Sequence, residues 1–418
     1  MGRSRAVVAV AAVAASLVVG AGNASADTPS RGHVVADYGK TSLESTNSTA
    51  AAEGGTRFVP TSPVRVLDTR NGTGRPGTAP VGPGQTISIP LADRLPDDAV
   101  VVVLNVTGTE ATSSTFITAY ANGIARPAVS SLNLVAGETR PNGATVYLMP
   151  NQTVDFYNNA GNTHLVADLA GYYVPAPTKA VASGAYTPTS PTRMLDTRSQ
   201  GGAVRGGGVV TIDFSGRVAA SATSVTINVT GTDTTGNTFV TAWPTGQARP
   251  TASSLNLAPG KTTPNSITVA LGADRKVSFY NNAGDTHLVV DLAGYYATDT
   301  GLLFYPTEAV RIFDSRFEEP GALGPGHIVD IYFADTPEWG ALAINMTGTN
   351  PSANTYVTTF PSDEAVPNAS NLNLAPGQTA ANTASAKLGD YEGFRSMGFF
   401  NHSGTTDLII DAFGIFAP

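Results

Sequence analysis

A set of four polar residues, Asp, Arg, Asn and Asp, recurs three times along the chain in the same order. Such residues form ion pairs in some proteins and catalytic sites in others. An arginine guanidinium can bridge two carboxylates with parallel hydrogen bonds, and an amide can complete the remaining bonds. In a strand, an aspartate and the arginine two residues later point to the same face. An arginine at the centre disfavours a cation, so we interpret each set as a structural network that fixes strand register. A metal or ligand site is the alternative. The sets are Asp68, Arg70, Asn105 and Asp168; Asp196, Arg198, Asn228 and Asp291; and Asp314, Arg316, Asn345 and Asp411.

The groups of a nucleophilic triad are also present, as Ser131, His164 and Asp168. The third copy has Asp407 where the first two have His164 and His287, and no Gly-x-Ser-x-Gly elbow occurs. Both histidines follow a threonine in a predicted hairpin, where turn hydrogen bonding is the ordinary role. The sequence therefore predicts no catalytic residue and no enzyme, with a hydrolase as the least favoured reading.

Acid pairs and metal ligands give no stronger signal. Glycoside hydrolysis needs two acids across a cleft, whereas Asp97 and Asp98 are adjacent and occur in one copy only. The five histidines show no paired spacing, and there is no cysteine. We predict no metal site and no cofactor.

Residues that differ among the copies are the better binding candidates. Aromatic residues occupy one equivalent strand end, where they could stack on sugar rings. The alternative is that they plug the end of a sandwich. Two Arg-Pro pairs match each other, while the third copy has Val366-Pro367, so the fold does not require the arginine. The predicted binding residues are Tyr120, Trp243, Phe360, Arg126 and Arg249.

The elements that must position these residues come in three copies. Each copy contains, in order, a Leu-Asp-Thr-Arg-like signature, an Asn-x-Thr-Gly-Thr run, a Leu-Asn-Leu run and an 18-residue closing stretch. Equivalent aspartates are 128 and 118 residues apart, as Asp68, Asp196 and Asp314 show. A solenoid repeat is several times shorter, so the repeating unit is a whole domain.

Within a copy the signals are those of strands. Runs rich in β-branched and aromatic residues alternate with Gly, Pro, Asn and Asp about every ten residues. The predicted fold class is all-β, with three tandem antiparallel β-sandwich domains. A jelly-roll or barrel-like domain is the alternative. Two strands of each copy are apolar on both faces and so must be covered on both. This favours packing of the three domains with pseudo-threefold symmetry over independent beads on linkers.

The predicted boundaries begin with a signal peptide at 1–26, since Arg3 and Arg5 precede an apolar run and Ala24-Ser25-Ala26 resembles a cleavage site. A flexible leader follows at 27–56. The sandwich repeats are predicted at 57–174, 185–297 and 303–418, joined by linkers at 175–184 and 298–302. We expect a secreted, extracellular protein without a membrane span in the mature chain, and association with the cell wall is the narrower alternative.

Charge and composition narrow the classes of partner. The formal charge is −8, and only 13% of residues are charged. Nucleic acid and anionic membranes require a basic face, so neither is expected as a partner. A chain without cysteine has no disulfides to stabilise it and must rely on burial.

The ordered signatures LDTR, LNVTGT and FYNxxGxTHLVxDLAGYY resemble a tandem repeat of secreted actinobacterial proteins. The resemblance covers about 57–417, and the third copy departs from it at Ser315, Asp407 and Ile415-Phe416. It implies an exported protein and carries over no catalytic residue. We predict a non-catalytic binding or display protein that holds cell-wall or environmental polysaccharide through repeated weak sites. The alternative is a structural module, or one that binds a surface protein partner.

Overall fold

The computed structural model describes residues 30–36, 54–176, 183–334 and 336–418, and these residues form strands and turns without a helix. The predicted signal peptide, most of the predicted leader and part of the first linker lie outside the described residues.

Three consecutive repeats each contribute eight principal strands. Repeat 1 contains β2 Thr56–Asp68, β3 Thr86–Pro90, β4 Val101–Thr109, β5 Thr115–Ala121, β6 Leu132–Leu134, β7 Arg140–Tyr147, β8 Thr153–Asn158 and β9 His164–Pro175. Repeat 2 contains β10 Ala185–Asp196, β11 Val209–Asp213, β12 Ala222–Thr232, β13 Thr238–Pro244, β14 Leu255–Leu257, β15 Thr263–Ala270, β16 Lys276–Asn281 and β17 His287–Ala297. Repeat 3 contains β18 Leu303–Asp314, β19 Ile328–Phe333, β20 Ala341–Thr349, β21 Thr355–Pro361, β22 Leu372–Leu374, β23 Ala380–Lys387, β25 Phe394–Asn401 and β26 Asp407–Ala417, with the short β24 Gly389–Tyr391 beside β25.

Each repeat is a sandwich of two antiparallel sheets. In repeat 1 the inner sheet has the order β2-β9-β4-β7 and the outer sheet the order β3-β8-β5-β6, and the other repeats follow the same order. This is the strand order of a jelly roll. The all-β, three-sandwich prediction is therefore confirmed, and the jelly-roll alternative describes its topology. A single pairing, Phe304 with Thr56, joins the inner sheets of repeats 3 and 1.

The prediction of a flexible leader at 27–56 is wrong for part of that segment. Strand β1, Arg31–Ala36, pairs in parallel with β19 at the edge of the outer sheet of repeat 3. Arg31 donates a hydrogen bond to the carbonyl oxygen of Ser362 at 3.0 Å, which fixes the strand end. A parallel pairing between segments almost 300 residues apart leaves no local sequence signal.

The inner strands are covered on both faces, as their composition predicts. Along β4, Val102, Leu104 and Val106 pack into the core of repeat 1. The alternate residues Val101 and Val103 face the other two repeats, in a second core that all three repeats share. The three sandwiches are thus packed around a pseudo-threefold axis.

Six aromatic side chains close a ring around this axis, which we call the aromatic ring. Its contacts alternate between partners in one repeat and partners in different repeats, with ring centroids 4.4–5.1 Å apart along the closed circuit. Offset and tilted pairs at these distances are favourable beyond their burial. In order around the circuit, the members are Phe58, Tyr173, Phe304, Phe416, Tyr186 and Tyr296.

The glycine of the closing stretch makes room for this ring. A Cβ on Gly171 would collide with the Phe58 ring, and one on Gly294 would collide with Tyr186. Gly414 stands in the same relation to Phe304. The Asp-x-x-Gly pattern in the three copies is therefore explained by close packing at the axis.

Candidate functional site

The recurring charged residues form an ion network at the end of β2. Arg65 donates from Nε and Nη2 to the two oxygens of Asp168, at 2.9 and 3.1 Å, and from Nη1 to Asp68 at 3.2 Å. Arg70 donates from Nε and Nη2 to Asp68, at 2.9 and 2.7 Å. Both carboxylates are buried and both are paired. These charges therefore satisfy one another within the fold.

The predicted bridge was assigned to the wrong arginine. Arg70, Arg198 and Arg316 each pair with one carboxylate, and the arginine three residues before the first aspartate spans both. Three residues apart in a regular strand, these side chains would lie on opposite faces. A register shift between Arg65 and Leu67 adds one residue and brings them to the same face. The bridging residues are Arg65, Arg193 and Arg311.

The bridging arginines did carry a sequence signal. Each stands in the same place in its copy, as VRVLDTR, TRMLDTR and VRIFDSR show. Their role as bridges is not predicted, because alternation along a regular strand places each arginine on the face opposite to its aspartate. The bulge reverses this alternation. Arg193 also reaches the neighbouring repeat, donating to the carbonyl oxygen of Asn368 at 2.8 Å.

The pKa values of the two carboxyl groups in each network are shifted in opposite directions. The hydrogen bond from Arg198 lowers the pKa of Asp196 to about 2. Burial raises the pKa of Asp291, and the hydrogen bonds from Arg193 act against this rise. The same directions hold for Asp68 and Asp168. Asp314 and Asp411 follow them as well.

The predicted asparagines do not complete the ion network. Asn105 lies across from Asp168 in the sheet, but its Nδ2 donates to the carbonyl oxygen of Ser253 in repeat 2, at 2.8 Å. Its Oδ1 accepts from Nδ2 of Asn265 in repeat 2, at 2.9 Å. The assignment of Asn105 to the arginine-carboxylate group is therefore wrong, and it is an inter-repeat contact instead.

The same contact repeats around the axis and closes on itself. Asn228 bonds to Ser370 and Asn382 of repeat 3, at 2.7 and 2.9 Å. Asn345 bonds to Ser130 and Asn142 of repeat 1, at 2.8 and 2.9 Å. We call this closed set the amide ring. Its six asparagines are Asn105, Asn265, Asn228, Asn382, Asn345 and Asn142.

The triad residues each interact with a partner outside the triad. His164 Nδ1 lies 2.9 Å from the hydroxyl of Thr69, and Ser131 accepts from the backbone N–H of Ala119 at 3.0 Å. Asp168 is occupied by Arg65. Among the described residues there is no group of three histidine or acidic side chains that could hold a metal ion.

The predicted aromatic binding residues are mostly interior. Trp243 is 8% exposed and donates from Nε1 to the carbonyl oxygen of Gln247 at 3.1 Å. Phe360 is 2% exposed. Because both side chains are buried, neither presents a face for a ligand, and the binding prediction is wrong for these two. Tyr120 is half-buried.

The two predicted arginines are exposed and lie on aromatic rings. Arg126 stacks over Tyr157 with its Cζ 4.0 Å from the ring centroid, and Arg249 over Tyr280 at 3.5 Å. A cation over an aromatic face is a favourable contact at the surface. Each arginine thus has a partner within its own repeat.

A concave surface opens at one end of the axis. Strand β4 runs along the axis from Val101, at the aromatic ring, through Asn105, at the amide ring. It continues to Gly108, which pairs with Arg140. Arg140 lines a cavity of about 1220 Å³ that residues of all three repeats enclose. We call this cavity the axial bowl.

The wall of the axial bowl is built from polar and aromatic side chains. Equivalent loops follow β6, β14 and β22, and they place Glu138, Lys261 and Gln378 at matching positions. Tyr356 stacks on His402, with centroids 4.4 Å apart and planes at 14°. Phe239 and a set of amides complete the wall: Asn237, Asn256, Asn282, Asn354 and Asn373. The sequence gives no signal for this site, because its residues lie in three different repeats and come together only in the folded chain.

Comparisons with known proteins identify no family. No protein-family model and no curated protein matches the chain. Three solved structures share 10% identity with it at a TM-score of 0.18, which does not identify a function. Two are titled for the triple jelly roll fold and turret assembly of an archaeal virus and for Sulfolobus Turreted Icosahedral Virus. They match over 88% and 90% of this chain and 92% and 95% of theirs. The third is the tandem CBM22 domain of Paenibacillus barcinonensis Xyn10C, over 62% of this chain and 96% of that one. In the described part of the chain, no helix could cross a membrane.

Proposed function

We propose that the protein is a non-catalytic glycan-binding protein of the cell exterior, and that the axial bowl is its binding site. The observation that carries the proposal is the composition of the bowl, a concave surface of about 1220 Å³ lined by amides, hydroxyls and aromatic rings. Small-molecule sites are typically concave, with a few polar groups that fix orientation.

The chemistry of the wall suits a sugar. Tyr356 and His402 offer a stacked pair on which the apolar face of a pyranose ring packs. Exposed amides such as Asn237 and Asn282 can donate to and accept from hydroxyl groups. The volume exceeds that of one monosaccharide, so the ligand is an oligosaccharide or a chain end.

The proposal revises the idea of repeated weak sites. One shared bowl at the axis replaces three equivalent sites, since the aromatic residues once expected to repeat are buried in two of the repeats. Export remains part of the proposal, as the resemblance to secreted actinobacterial repeats implies.

The test is a retention assay with a variant that fills the bowl. Ala258 is exposed and lines the bowl, so Ala258→Trp adds volume there without changing the packing of the core. Retention on cell wall, chitin, cellulose and starch is measured for the parent chain and the variant. We expect the parent to be retained on at least one of them and Ala258→Trp to lose that retention.

The matched control is Ser88→Trp, which adds the same side chain at an exposed position of β3, outside the bowl. Both variants are checked for an unchanged β-type circular dichroism spectrum. Retention that survives Ala258→Trp, or no retention of the parent on any of the four materials, would contradict the proposal.

A further inference from the structure

The axial bowl carries positive charge within an acidic protein. Its charged lining residues are Glu138, Arg140 and Lys261, with a net formal charge of +1, whereas the whole chain carries −8. We propose that the bowl selects glycans bearing an anionic group, a carboxylate or a phosphate, and that Lys261 and Arg140 hold that group. This inference rests on the proposed function and names its class of ligand.

Arg140 is buried with donors to spare. The side chain is 2% exposed, and Nη1 donates to Glu138 at 3.2 Å. Its Nε and Nη2 are buried without an acceptor among the described residues. A buried donor left unpaired is unfavourable, and more so when it belongs to a charged group. An acceptor brought by a ligand would remove this penalty.

The unpaired Nε and Nη2 of Arg140 are the same two atoms with which other arginines of this protein bind carboxylates. Nε and Nη2 form one side of the guanidinium, which matches the two oxygens of a carboxylate or phosphate. Arg65 and Arg70 both grip a carboxylate with this pair of atoms. The same geometry recurs in four further arginines: Arg193, Arg198, Arg311 and Arg316.

Lys261 supplies the second cation, and its freedom has a local cause. At the equivalent positions, Glu138 accepts from the backbone N–H of Val135 and Gln378 from that of Ala375, at 3.0 and 2.9 Å. A lysine ammonium has no acceptor and cannot make this loop-closing bond. Lys261 is exposed and forms no ion pair with any described residue.

Lys261 and Arg140 differ in accessibility, so the anionic group contacts them in sequence. The anionic group first meets Lys261, which is exposed at the wall. Contact with the edge of Arg140 requires a local rearrangement, because that guanidinium is nearly inaccessible. Repeats 2 and 3 have Thr263 and Ala380 where repeat 1 has Arg140, so the anion binds on one side of the pseudo-threefold axis.

Titration calorimetry of the full chain with three oligomers tests the inference. The oligomers are oligogalacturonate, its carboxyl-reduced neutral counterpart, and an oligomer of glycerol phosphate. We expect at least one anionic oligomer to bind about tenfold tighter than the neutral one, since hydrogen bonds to charged groups are stronger than those between neutral groups. The oligomer that binds tighter identifies the anion as carboxylate or phosphate.

Variants drawn from the other repeats localise the effect. Lys261→Gln installs the residue of repeat 3, and Arg140→Thr installs that of repeat 2, so each is a side chain that the fold already accepts. Each should lower the affinity for the anionic oligomer about tenfold more than the affinity for the neutral one. Arg94→Gln removes an exposed charge between β3 and β4, outside the bowl, and should change neither.

Failure of the inference is distinct from failure of the proposed function. Equal binding of neutral and anionic oligomers, abolished by Ala258→Trp, overturns the anionic preference and leaves glycan binding in the bowl. A preference that both variants retain overturns the assignment to Lys261 and Arg140. Binding that Ala258→Trp does not affect overturns the bowl as the site.

Discussion

The amide ring and the axial bowl lie on the same axis and are built by the same three repeats. They differ in how similar their equivalent residues are among the three copies. In the amide ring, one asparagine pair is repeated three times, and each member bonds to a neighbouring repeat. In the bowl, equivalent positions hold Glu138, Lys261 and Gln378. At these positions the three copies are thus alike in the amide ring and unlike in the bowl.

The difference has a physical cause. An asparagine buried at the axis must find its partner in the next repeat, because an unpaired amide costs about 1–3 kcal/mol. Changing one copy would leave a partner in another copy unsatisfied. Side chains at the mouth of the bowl meet water and are free to differ. Likeness among the copies therefore marks fasteners, and unlikeness at a shared cavity marks a place to seek a ligand.

The largest effect is expected from breaking an ion network that all copies share. Arg65→Ala leaves Asp168 buried without its counter-ion, which should lower the free energy of unfolding by about 3–5 kcal/mol. Urea denaturation followed by circular dichroism measures it. Arg70→Ala is the control. Arg70 is more exposed and pairs with one carboxylate only, so its loss should cost about 1 kcal/mol. Equal losses for the two variants would contradict the assignment of Arg65 as the bridge.

A single cut in the amide ring should have the next largest effect. Asn105→Ala removes the donor to the carbonyl oxygen of Ser253 and one of the two acceptors of Asn265 Nδ2, whose bond to Ser254 remains. We therefore expect a loss of about 2–3 kcal/mol in unfolding free energy. Asn237→Ala removes an exposed amide from the bowl and should cost less than about 0.5 kcal/mol. A loss for Asn237→Ala as large as that for Asn105→Ala would erase the contrast between the two regions.

The aromatic ring allows a milder test. The hydroxyls of Tyr173 and Tyr296 are 2.7 Å apart, while the equivalent residue of repeat 3 is Phe416. Tyr173→Phe keeps the ring contact and removes the hydrogen bond, so it should lower the free energy of unfolding by about 1 kcal/mol. Thermal unfolding of the two chains at equal concentration gives the difference. A stabilised variant would show that the hydroxyl pair is not a fastener.

Acid should weaken the network through its lowered carboxyl. The folded pKa of Asp196 is about 2, below its ordinary value, so the stability it contributes is full above about pH 4 and disappears as pH falls toward 2. Asp291 has a raised folded pKa, so its contribution runs the other way and decreases as pH rises. Urea midpoints between pH 5 and pH 2 should fall less steeply for Asp196→Asn than for the parent. Parallel curves would rule out this linkage.

The smallest effect on stability is expected in the bowl. Lys261→Gln should change the unfolding free energy by less than about 0.5 kcal/mol, because the side chain is exposed and has no ion pair among the described residues. A clear destabilisation would show that Lys261 belongs to the fold rather than to a binding surface.

Much of the fold could be predicted because its strongest signals are local or repeated. The strand runs, the three copies and the double covering of β4 follow from composition and pleat alternation. The bulge at Arg65 could not be read, since it breaks the alternation on which the prediction depends. The pairing of Asn105 with Asn265 joins residues 160 positions apart, beyond any local pattern.

The candidate site was the least predictable part. Its wall takes residues from three repeats, and the charged residues among them, Glu138, Arg140 and Lys261, are each found in one copy only. Trp243 and Phe360 are predicted binding residues because they differ among the copies, but both are buried. Different aromatic residues at a buried position are explained by packing alone. Exposure distinguishes the two cases, and exposure is fixed by how the repeats pack.

Amide hydrogen exchange on the Asn105→Ala chain tests most directly whether the three repeats are fastened into one closed unit. The substitution lies in repeat 1, and the ring passes from there through Asn265 to repeat 2 and through Asn382 and Asn142 around the axis. We expect faster exchange in β15 and β23 as well as in β4, relative to the parent chain. Faster exchange confined to repeat 1 would contradict the closed ring and would show that the repeats are independent sandwiches in contact.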